Sequence, residues 1–525
     1  MRDRPIIFLF FLIPLFLLTG CRKIDTVVTD RMIQSGGEFW EQLTIEGKPV
    51  GFQRTALSFE EIQGQSVRRL EHQSRLVVLR YGNNFDVALN VHSISRTEGS
   101  FSSATVQLNG GGEPLETTYQ SENNQLTVTN SAGQTALSWK QDIPGPETLL
   151  CELLNAPMKS GEIRKITFFE PAMHSLVEAT LTACQPEQVN INGVTRKLLR
   201  IEVQNRLELL QAGTQTVSET LWTDSGGNII RRELPIDEQI LLAVRVPREK
   251  AEFQVAKPSV ELGNLGVIPL NSSIPQPHHA TKIEFIVETQ KELPANQFPQ
   301  TPFQSVEPID KKSAKITVLS AVNNNNNNRN LNNAALELFK HDQSEAKPED
   351  LASNQLINLN DPKLIELANQ VDSETLTPYQ TVLALEQLVR NTIRKTSFSI
   401  ALFSSSDVLK SQSGDCTEFA VLFAALCRVK KIPARITLGL VYTPFSPLNN
   451  EPEQAGMVFH LWNEVLIDGV WQPFDAVLAL GGADAARIKI TDGSMAENYL
   501  ASLCHSLLGV IGQIQIRLEK SEPLP

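Results

Sequence analysis

The chain has 525 residues, 41% of them hydrophobic and 20% charged. That is ordinary globular material, long enough for more than one domain. The formal net charge of −12 and a pI of about 5.3 argue against a general nucleic-acid binder. No basic patch with interleaved aromatics offsets that balance.

The chain opens with Arg2 and Arg4, followed by an apolar run from Ile6 to Leu18 broken at Pro14. The run has the length of a signal-peptide core and is too short to span a bilayer comfortably. It ends Leu18-Thr19-Gly20-Cys21, which resembles the lipobox of bacterial lipoproteins. The resemblance implies a signal peptide over 1–20, cleavage before Cys21 and lipidation of that cysteine. Lipid chains would then hold the protein at a membrane of the cell envelope, on the periplasmic side of the inner or outer membrane. Five cysteines remain: Cys151, Cys184, Cys416, Cys427 and Cys504. In a compartment that permits disulfides, one scheme pairs Cys151 with Cys184 and Cys427 with Cys504, leaving Cys416 to react. The alternative is that the four are small buried apolar residues.

Residues 21–260 are expected to form a β-rich domain. Leu70–Tyr81, Phe85–Ile94, Ala104–Leu108, Leu126–Thr129 and Lys197–Leu210 carry β-branched and apolar residues, partly with period two. Turn signals divide them at Gly82-Asn83-Asn84, Asn109-Gly110-Gly111-Gly112, Asn192-Gly193 and Ser225-Gly226-Gly227-Asn228. They read as antiparallel hairpins, with one short helix near Glu147–Leu154. His72, His92 and His174 are scattered through this half and assemble no chemistry. Residues 261–322 read as a connecting segment with strands at Thr281–Glu288 and Ala314–Leu319. Residues 323–350, beginning with the run Asn323–Asn328, read as a linker that cannot build a core.

From 351 to 525 the pattern changes. Helices are expected from Pro362, over Leu376–Arg394 and from Ser406. The next begins at Cys416, with Phe419, Leu422, Phe423 and Leu426 on one buried face and Asp415 as its cap. Strands follow at Ile436–Tyr442, Met457–Ile467 and Val470–Phe474, the last two joined by the hairpin turn Asp468-Gly469. Helices feeding an antiparallel sheet make this an α+β domain.

Three residues of this domain suit acyl chemistry. Cys416 stands in the first turn of a helix, where unpaired N–H groups and the helix dipole favour a thiolate. His460 lies on the first strand of the hairpin and Asp475 at the end of the second. Counting back from the turn places them within one or two residues of being cross-strand neighbours. A carboxylate that orients an imidazole, which takes a thiol proton, is the arrangement of an activated nucleophile. Cys504 and His505 are adjacent in sequence and point apart on a helix, so they make a poor second dyad.

Four blocks in order are Gly414-Asp415-Cys416-Thr417-Glu418-Phe419-Ala420, Lys431-Ile432-Pro433-Ala434-Arg435, His460-Leu461-Trp462-Asn463-Glu464-Val465 and Trp471-Gln472-Pro473-Phe474-Asp475. Together they resemble the bacterial transglutaminase-like domain of the papain-like superfamily, over roughly 351–480. Trp40 to Phe52 and Leu221 to Ile230 are similar to the β-rich region ahead of some such domains. The resemblance implies Cys416 as nucleophile, His460 as general base and acid, and Asp475 as the orienting carboxylate. It implies a protein or peptide amide as substrate, a thioester intermediate, and an amine or water as acceptor. The N–H of Cys416 suits an oxyanion donor; Trp462 and Trp471 read as core or cleft-wall residues, with Trp462 also a candidate for the substrate cleft. Where such domains read Asp-Pro, this chain has Asp475-Ala476, from which a strained or altered loop exit is expected. Other readings of the residues are a non-catalytic envelope adaptor and a peptidase or amidase of cell-wall peptide. With no EF-hand loop in the sequence, neither metal nor cofactor is expected.

Overall fold

The computed structural model describes residues 37–62, 64–80, 83–131, 133–209, 213–236, 239–253, 258, 260–261, 267–289, 297–322, 345–396, 403–444, 455–495 and 514–523. The expected signal peptide with Cys21, the asparagine run and the Cys504-His505 pair lie outside these residues. The chain divides into two compact units, one ending at Glu261 and the other beginning at Leu262. No helix among the described residues is long and apolar enough to cross a membrane.

The first unit is one antiparallel sheet. Its strands are β1 Gly37–Ile45, β2 Lys48–Ile62, β3 Gln65–Arg80, β4 Asn83–Arg96, β5 Phe101–Asn109, β6 Leu115–Glu122, β7 Gln125–Asn130, β8 Gly133–Ser138, β9 Ile163–Glu170, β10 Ser175–Ile191, β11 Val194–Leu209, β12 Gly213–Thr223, β13 Ile229–Ile236 and β14 Gln239–Val246. The spatial order runs β8 back to β1, then β14 back to β9, so two meanders meet where β1 pairs with β14. Asn192 (φ 52°) and Gly193 (φ 86°) form the tight turn between β10 and β11. Positive φ at both central residues gives a turn whose twist matches the strands it joins.

Both faces of the middle of the sheet are covered. On one face of β1, Phe39 packs with Leu57 against Leu150, Cys151 and Leu154 of helix α1, Thr148–Asn155. On the other, Trp40 packs with Phe52, Val77 and Ala251, the last from helix α2, Arg248–Phe253. Segment 143–144 accepts hydrogen bonds from Phe101 of β5 and Phe169 of β9, which brings the two arms of the sheet together. Phe101, Tyr119, Trp139 and Phe169 fill that junction edge to face.

The interior face also buries charge. Arg232 is fully buried, with Nε 3.7 Å from Glu219 Oε2, and Glu219 accepts from Asn205 Nδ2 at 2.8 Å. Burial raises the carboxyls of Glu41 and Glu219 against the pull of Arg232. His72 contacts Thr55 Oγ1 at 2.9 Å, and burial pushes its imidazole down to about 3. His174 contacts the Tyr119 hydroxyl at 3.1 Å. These two histidines hold places in the interior packing.

The second unit carries the sheet β15 (Ile268–Pro269), β22 (Gly456–Ile467), β21 (Ala434–Thr443), β24 (Arg487–Gly493), with β23 (Val470–Phe474) also paired to β22. A separate sheet orders β17 (Gln304–Pro308), β18 (Ser313–Leu319), β16 (Ala280–Thr289) and β25 (Ile514–Pro523). The segment read as a connector thus pairs with the last strand of the chain and belongs to the body of this unit. Gln304 ties the two sheets: its Nε2 donates to Lys489 O at 3.0 Å and its Oε1 accepts from Lys489 N at 2.6 Å. Strands β19 (Lys395–Thr396) and β20 (Ser413–Gly414) form a short parallel pair just before the cysteine.

Among the described residues of this unit the α-helices are α3 Pro362–Ala368, α4 Pro378–Thr392, α5 Ser405–Ser411 and α6 Cys416–Val429. Helix α6 is buried along nearly its whole length and packs on β21, β22 and the other helices. Arg428 near its end is buried and donates to the carbonyls of Ala352, Ala434 and Ser494. Cys184 and Cys427 are free thiols, so neither expected disulfide forms. Cys427 is fully buried among apolar neighbours, and burial pushes its thiol up. It behaves as the small core residue of the alternative reading.

Replacing Arg232 by Met removes the cation from between two buried carboxyls. The expected cost to the β-rich unit is about 3 kcal/mol or more. A urea titration followed by fluorescence of Trp40, Trp139 and Trp222 is expected to show an earlier transition; an unchanged midpoint would refute the role assigned to this cluster.

Candidate active site

The site is built on the edge of one strand. Strand β22 pairs along one side with β21 from Thr443↔Gly456 to Ala434↔Val465. Its other side pairs with β15 at Gly456 and Met457, and with β23 from Asn463 to Ile467. Between those two partners, residues 458–462 have no strand beside them among the described residues. The backbone N–H of Leu461 points into this gap and donates to Cys416 Sγ at 3.3 Å. The cysteine sulfur therefore sits against the backbone next to His460.

Local chemistry puts Cys416 there. Asp415 caps α6, its Oδ1 accepting from Thr417 N at 3.0 Å, while Glu418 Oε2 accepts from Asp415 N at 2.9 Å. This reciprocal capping box satisfies donors that the first turn leaves open. The other Glu418 oxygen accepts from Phe403 N at 3.1 Å, tying in the residue just before α5. Gly414 is required by this arrangement, since a Cβ there would lie 2.3 Å from Glu418 Cβ. Farther along α6, Asn463 Nδ2 donates to Ala420 O at 3.0 Å and locks the helix to β22.

The hairpin delivers the other two residues. The turn Asp468 (φ 51°) and Gly469 (φ 77°) sets the register Leu466↔Trp471 through Asn463↔Phe474. That register leaves Asp475 one step beyond the ladder and two residues from His460 on the strand opposite. The gap closes through the side chains: His460 Nε2 lies 2.9 Å from Asp475 Oδ2. Both residues are buried, His460 at 5% and Asp475 at 1% exposure.

Asp475 is also held from a strand on which sequence reasoning found no site residue. Arg487 Nη1 donates to the same Oδ2 at 3.2 Å. Burial alone would raise the Asp475 carboxyl. The charge and hydrogen bond of His460, joined by those of Arg487, hold it well below the usual carboxylate range. Arg487 in turn donates to Asp484 Oδ1 through Nε and Nη2, and Asp484 Oδ2 lies 2.6 Å from His278 Nδ1. Nothing around Arg487 in the sequence forms a motif; only the pairing of β24 with β21 brings it here.

Trp462 takes the core place of the two that were open to it. It is buried at 2% exposure. Its ring lies over Gly439, where a Cβ would come within 2.3 Å of it, and the Arg487 guanidinium sits 5.1 Å from its centroid. The His460 ring is nearly parallel to it at 6.3 Å. Trp462 is packing beneath the imidazole and the arginine, not an exposed cleft wall. The reason is that β21 offers a glycine opposite His460, leaving a slot that the indole fills.

The exit after Asp475 is tight, in line with the missing proline. Asp475 Oδ1 accepts from Val477 N at 3.0 Å, and its carbonyl accepts from Leu478 N and Ala479 N. Ala479 adopts a left-handed φ of 50°, which costs about 1 kcal/mol for a residue with a Cβ. Helix α4 clasps this loop: Tyr379 Oη donates to Gly481 O, Gln387 Nε2 to Ala479 O, and Glu386 Oε2 accepts from Gly481 N at 3.0 Å. Burial, then the nearby Asp475 charge, raises Glu386 to about 8 against the hydrogen bond from Gly481.

Among the described residues no cluster of His, Cys, Asp and Glu suited to a metal occurs. What the assembled groups can do is ionise a thiol beside a carboxylate-oriented imidazole at the start of a helix.

The raised carboxyl of Glu386 has a consequence for stability. Its folded value, about 8, lies above the ordinary 4.5. The unfolded chain therefore loses this proton first as pH rises, and stability falls between pH 4.5 and 8. Glu386→Gln is expected to flatten that fall, gaining on the order of a few kcal/mol over wild type at pH 8. Urea titrations of both proteins at pH 5 and pH 8 check this; parallel losses in the two would sink it.

Comparison with known proteins bears on this site. Residues 365–476 match the transglutaminase-like superfamily. No curated protein matches the chain. Among solved structures, a candidate cysteine protease from Cytophaga hutchinsonii is 20% identical, with 47% of this chain and 92% of that one covered and a TM-score of 0.29. A β-barrel-like protein of a domain of unknown function from Brucella abortus is 9% identical, with coverage of 40% and 95% and a TM-score of 0.29. The periplasmic domain of TgpA from Pseudomonas aeruginosa is 15% identical, with coverage of 41% and 90% and a TM-score of 0.26. Structural likeness at this level carries no argument, and the similarity rests on the matched residues. The matched stretch, 365–476, contains Cys416, His460 and Asp475 and is similar to the transglutaminase-like superfamily.

Proposed function

We propose that the protein is a cysteine acyltransferase or hydrolase acting on protein or peptide amides, and that Cys416, His460 and Asp475 carry the reaction. The observation behind this reading is the buried contact of His460 Nε2 with an ionised Asp475, beside a cysteine at a capped helix start. With Nε2 turned to the carboxylate, Nδ1 is the nitrogen left to exchange a proton with Cys416.

The steps follow from those roles. His460 takes the Cys416 proton, and the sulfur attacks the amide carbonyl carbon. The backbone N–H of Cys416 at the helix start is placed to stabilise the oxyanion. The imidazolium returns its proton to the departing nitrogen, which leaves as ammonia or an amine and gives a thioester. An amine or water, deprotonated by His460, then attacks the thioester and releases Cys416. The N–H of Leu461 at the sulfur favours the thiolate over the thiol.

The sequence from Arg2 to Cys21 supports an envelope lipoprotein, in which a lipidated Cys21 holds the enzyme at a membrane.

The test is the pH dependence of Cys416 alkylation by iodoacetamide in wild type and in His460→Ala. A thiol reactive below pH 7 that slows at least about tenfold without His460 is the expected result. A thiol indifferent to His460 would defeat the reading. Incorporation of a fluorescent amine into glutamine peptides separates transfer from hydrolysis. In either assay His460→Ala is expected to lose roughly 10²–10⁴ in rate.

A further inference from the structure

His460 and Arg487 donate to the same oxygen of Asp475, at 2.9 Å and 3.2 Å, while Val477 N occupies the other oxygen. A carboxylate facing an imidazole alone would give it the whole of its negative charge. That suits a group needed only as an imidazolium. A cation on the same oxygen weakens that hold, so that the proton is given back more readily. Arg487 is itself fixed on three sides: by Asp484 Oδ1, by the Asp484 carbonyl at 3.0 Å, and by the face of Trp462. Its guanidinium cannot swing away from Asp475 without leaving two buried carboxylates behind.

We propose that Arg487 is a positioning residue of this site, sharing the Asp475 charge with His460 so that the imidazole is oriented without being locked in its protonated form. The inference rests on the acyl-transfer reading of Cys416 and His460.

The charged surroundings fix the sign of the expected changes. Around His460 and Asp475 stand Cys416 on α6, Glu386 on α4 and Arg487 on β24. Asp484 and His278 complete the chain from the loop and from residues 277–279. Farther along, Lys489 pairs with Glu464 and Asp492, and Arg435 pairs with the same two acids, a set balanced within itself. Removing Arg487 takes away the cation nearest Asp475. Removing Asp484 takes away the anion that competes for that cation. The two changes should move the proton on His460 in opposite directions.

The experiment follows the His460 Cε1 signal by NMR across pH in the full chain labelled at histidine, with His460→Ala identifying the signal. Asp484→Asn is expected to make His460 lose its proton at lower pH than wild type. Arg487→Met combined with Asp484→Asn leaves one negative charge, as in the wild-type cluster of Asp475, Arg487 and Asp484, and so removes the arginine without a net change. It is expected to shift proton loss to higher pH by on the order of one pH unit. Arg487→Lys, which keeps the cation, is expected to stay near wild type. Thermal melts report folding separately, and if the double variant fails to fold, Asp484→Asn alone still decides. A His460 titration that moves upward or not at all in Asp484→Asn overturns the inference, as does an unmoved titration in a folded double variant. Alkylation of Cys416 in the same proteins separates the two claims. If wild-type Cys416 is indifferent to His460, the acyl-transfer reading itself has failed. If it depends on His460 while these titrations stand still, only the role of Arg487 has failed.

Discussion

A carboxylate taken out of water has to be answered by cations and N–H groups, and Asp475 makes that demand on the whole C-terminal unit. It is 1% exposed and accepts from His460, Arg487 and the backbone of Val477. Each answer recruits an element. His460 comes from β22, Arg487 from β24 two strands away, and Val477 from the loop that α4 clasps through Glu386, Gln387 and Tyr379. The fold places these elements so that the cost of burying one charge is offset from three directions.

The second constraint is an interruption in a strand. Had β23 or β15 been longer, the N–H of Leu461 would belong to a ladder and Cys416 would have no place beside His460. On this edge of β22 five residues have no strand partner among the described residues, and the start of α6 enters there sideways. Such an edge costs backbone hydrogen bonds, and the site returns one of them through the sulfur. The capping box of Asp415 and Glu418 then fixes how far the helix start advances.

Much of this was legible in the sequence because it depends on local chemistry. The apolar spacing from Phe419 to Leu426 requires a buried helix, and Asp468-Gly469 can scarcely be anything but a hairpin turn, so the proximity of His460 to Asp475 follows by counting. The antiparallel β character of the first unit was also legible, from period-two segments divided by turns such as Asn192-Gly193. The capping box is written in the sequence as Asp415 and Glu418 at the right spacing. Arg487, Asp484 and Glu386 were not legible. Each stands in a stretch with no motif, and each matters only through side chains from distant elements that meet in the folded unit. The choice between core and cleft for Trp462 was not legible for a related reason, because its burial depends on a glycine on the neighbouring strand that no local pattern connects to it.

In each unit a buried arginine lies near two buried acids, and the outcome differs. In the first unit Arg232 approaches Glu219 only to 3.7 Å, and burial prevails: the carboxyls of Glu41 and Glu219 are both raised toward their neutral forms. In the second unit Arg487 reaches Asp475 at 3.2 Å and Asp484 at 3.1 Å, histidines add their own contacts, and both carboxyls are lowered instead. The difference is half an ångström and the presence of directed donors, since hydrogen bonds to the charged form oppose desolvation more strongly than a distant cation does. A buried Arg–acid cluster is therefore not in itself a sign of chemistry. The direction in which its acids shift is the more telling property, because an acid that remains charged while buried both orients an imidazole and stabilises its protonated form.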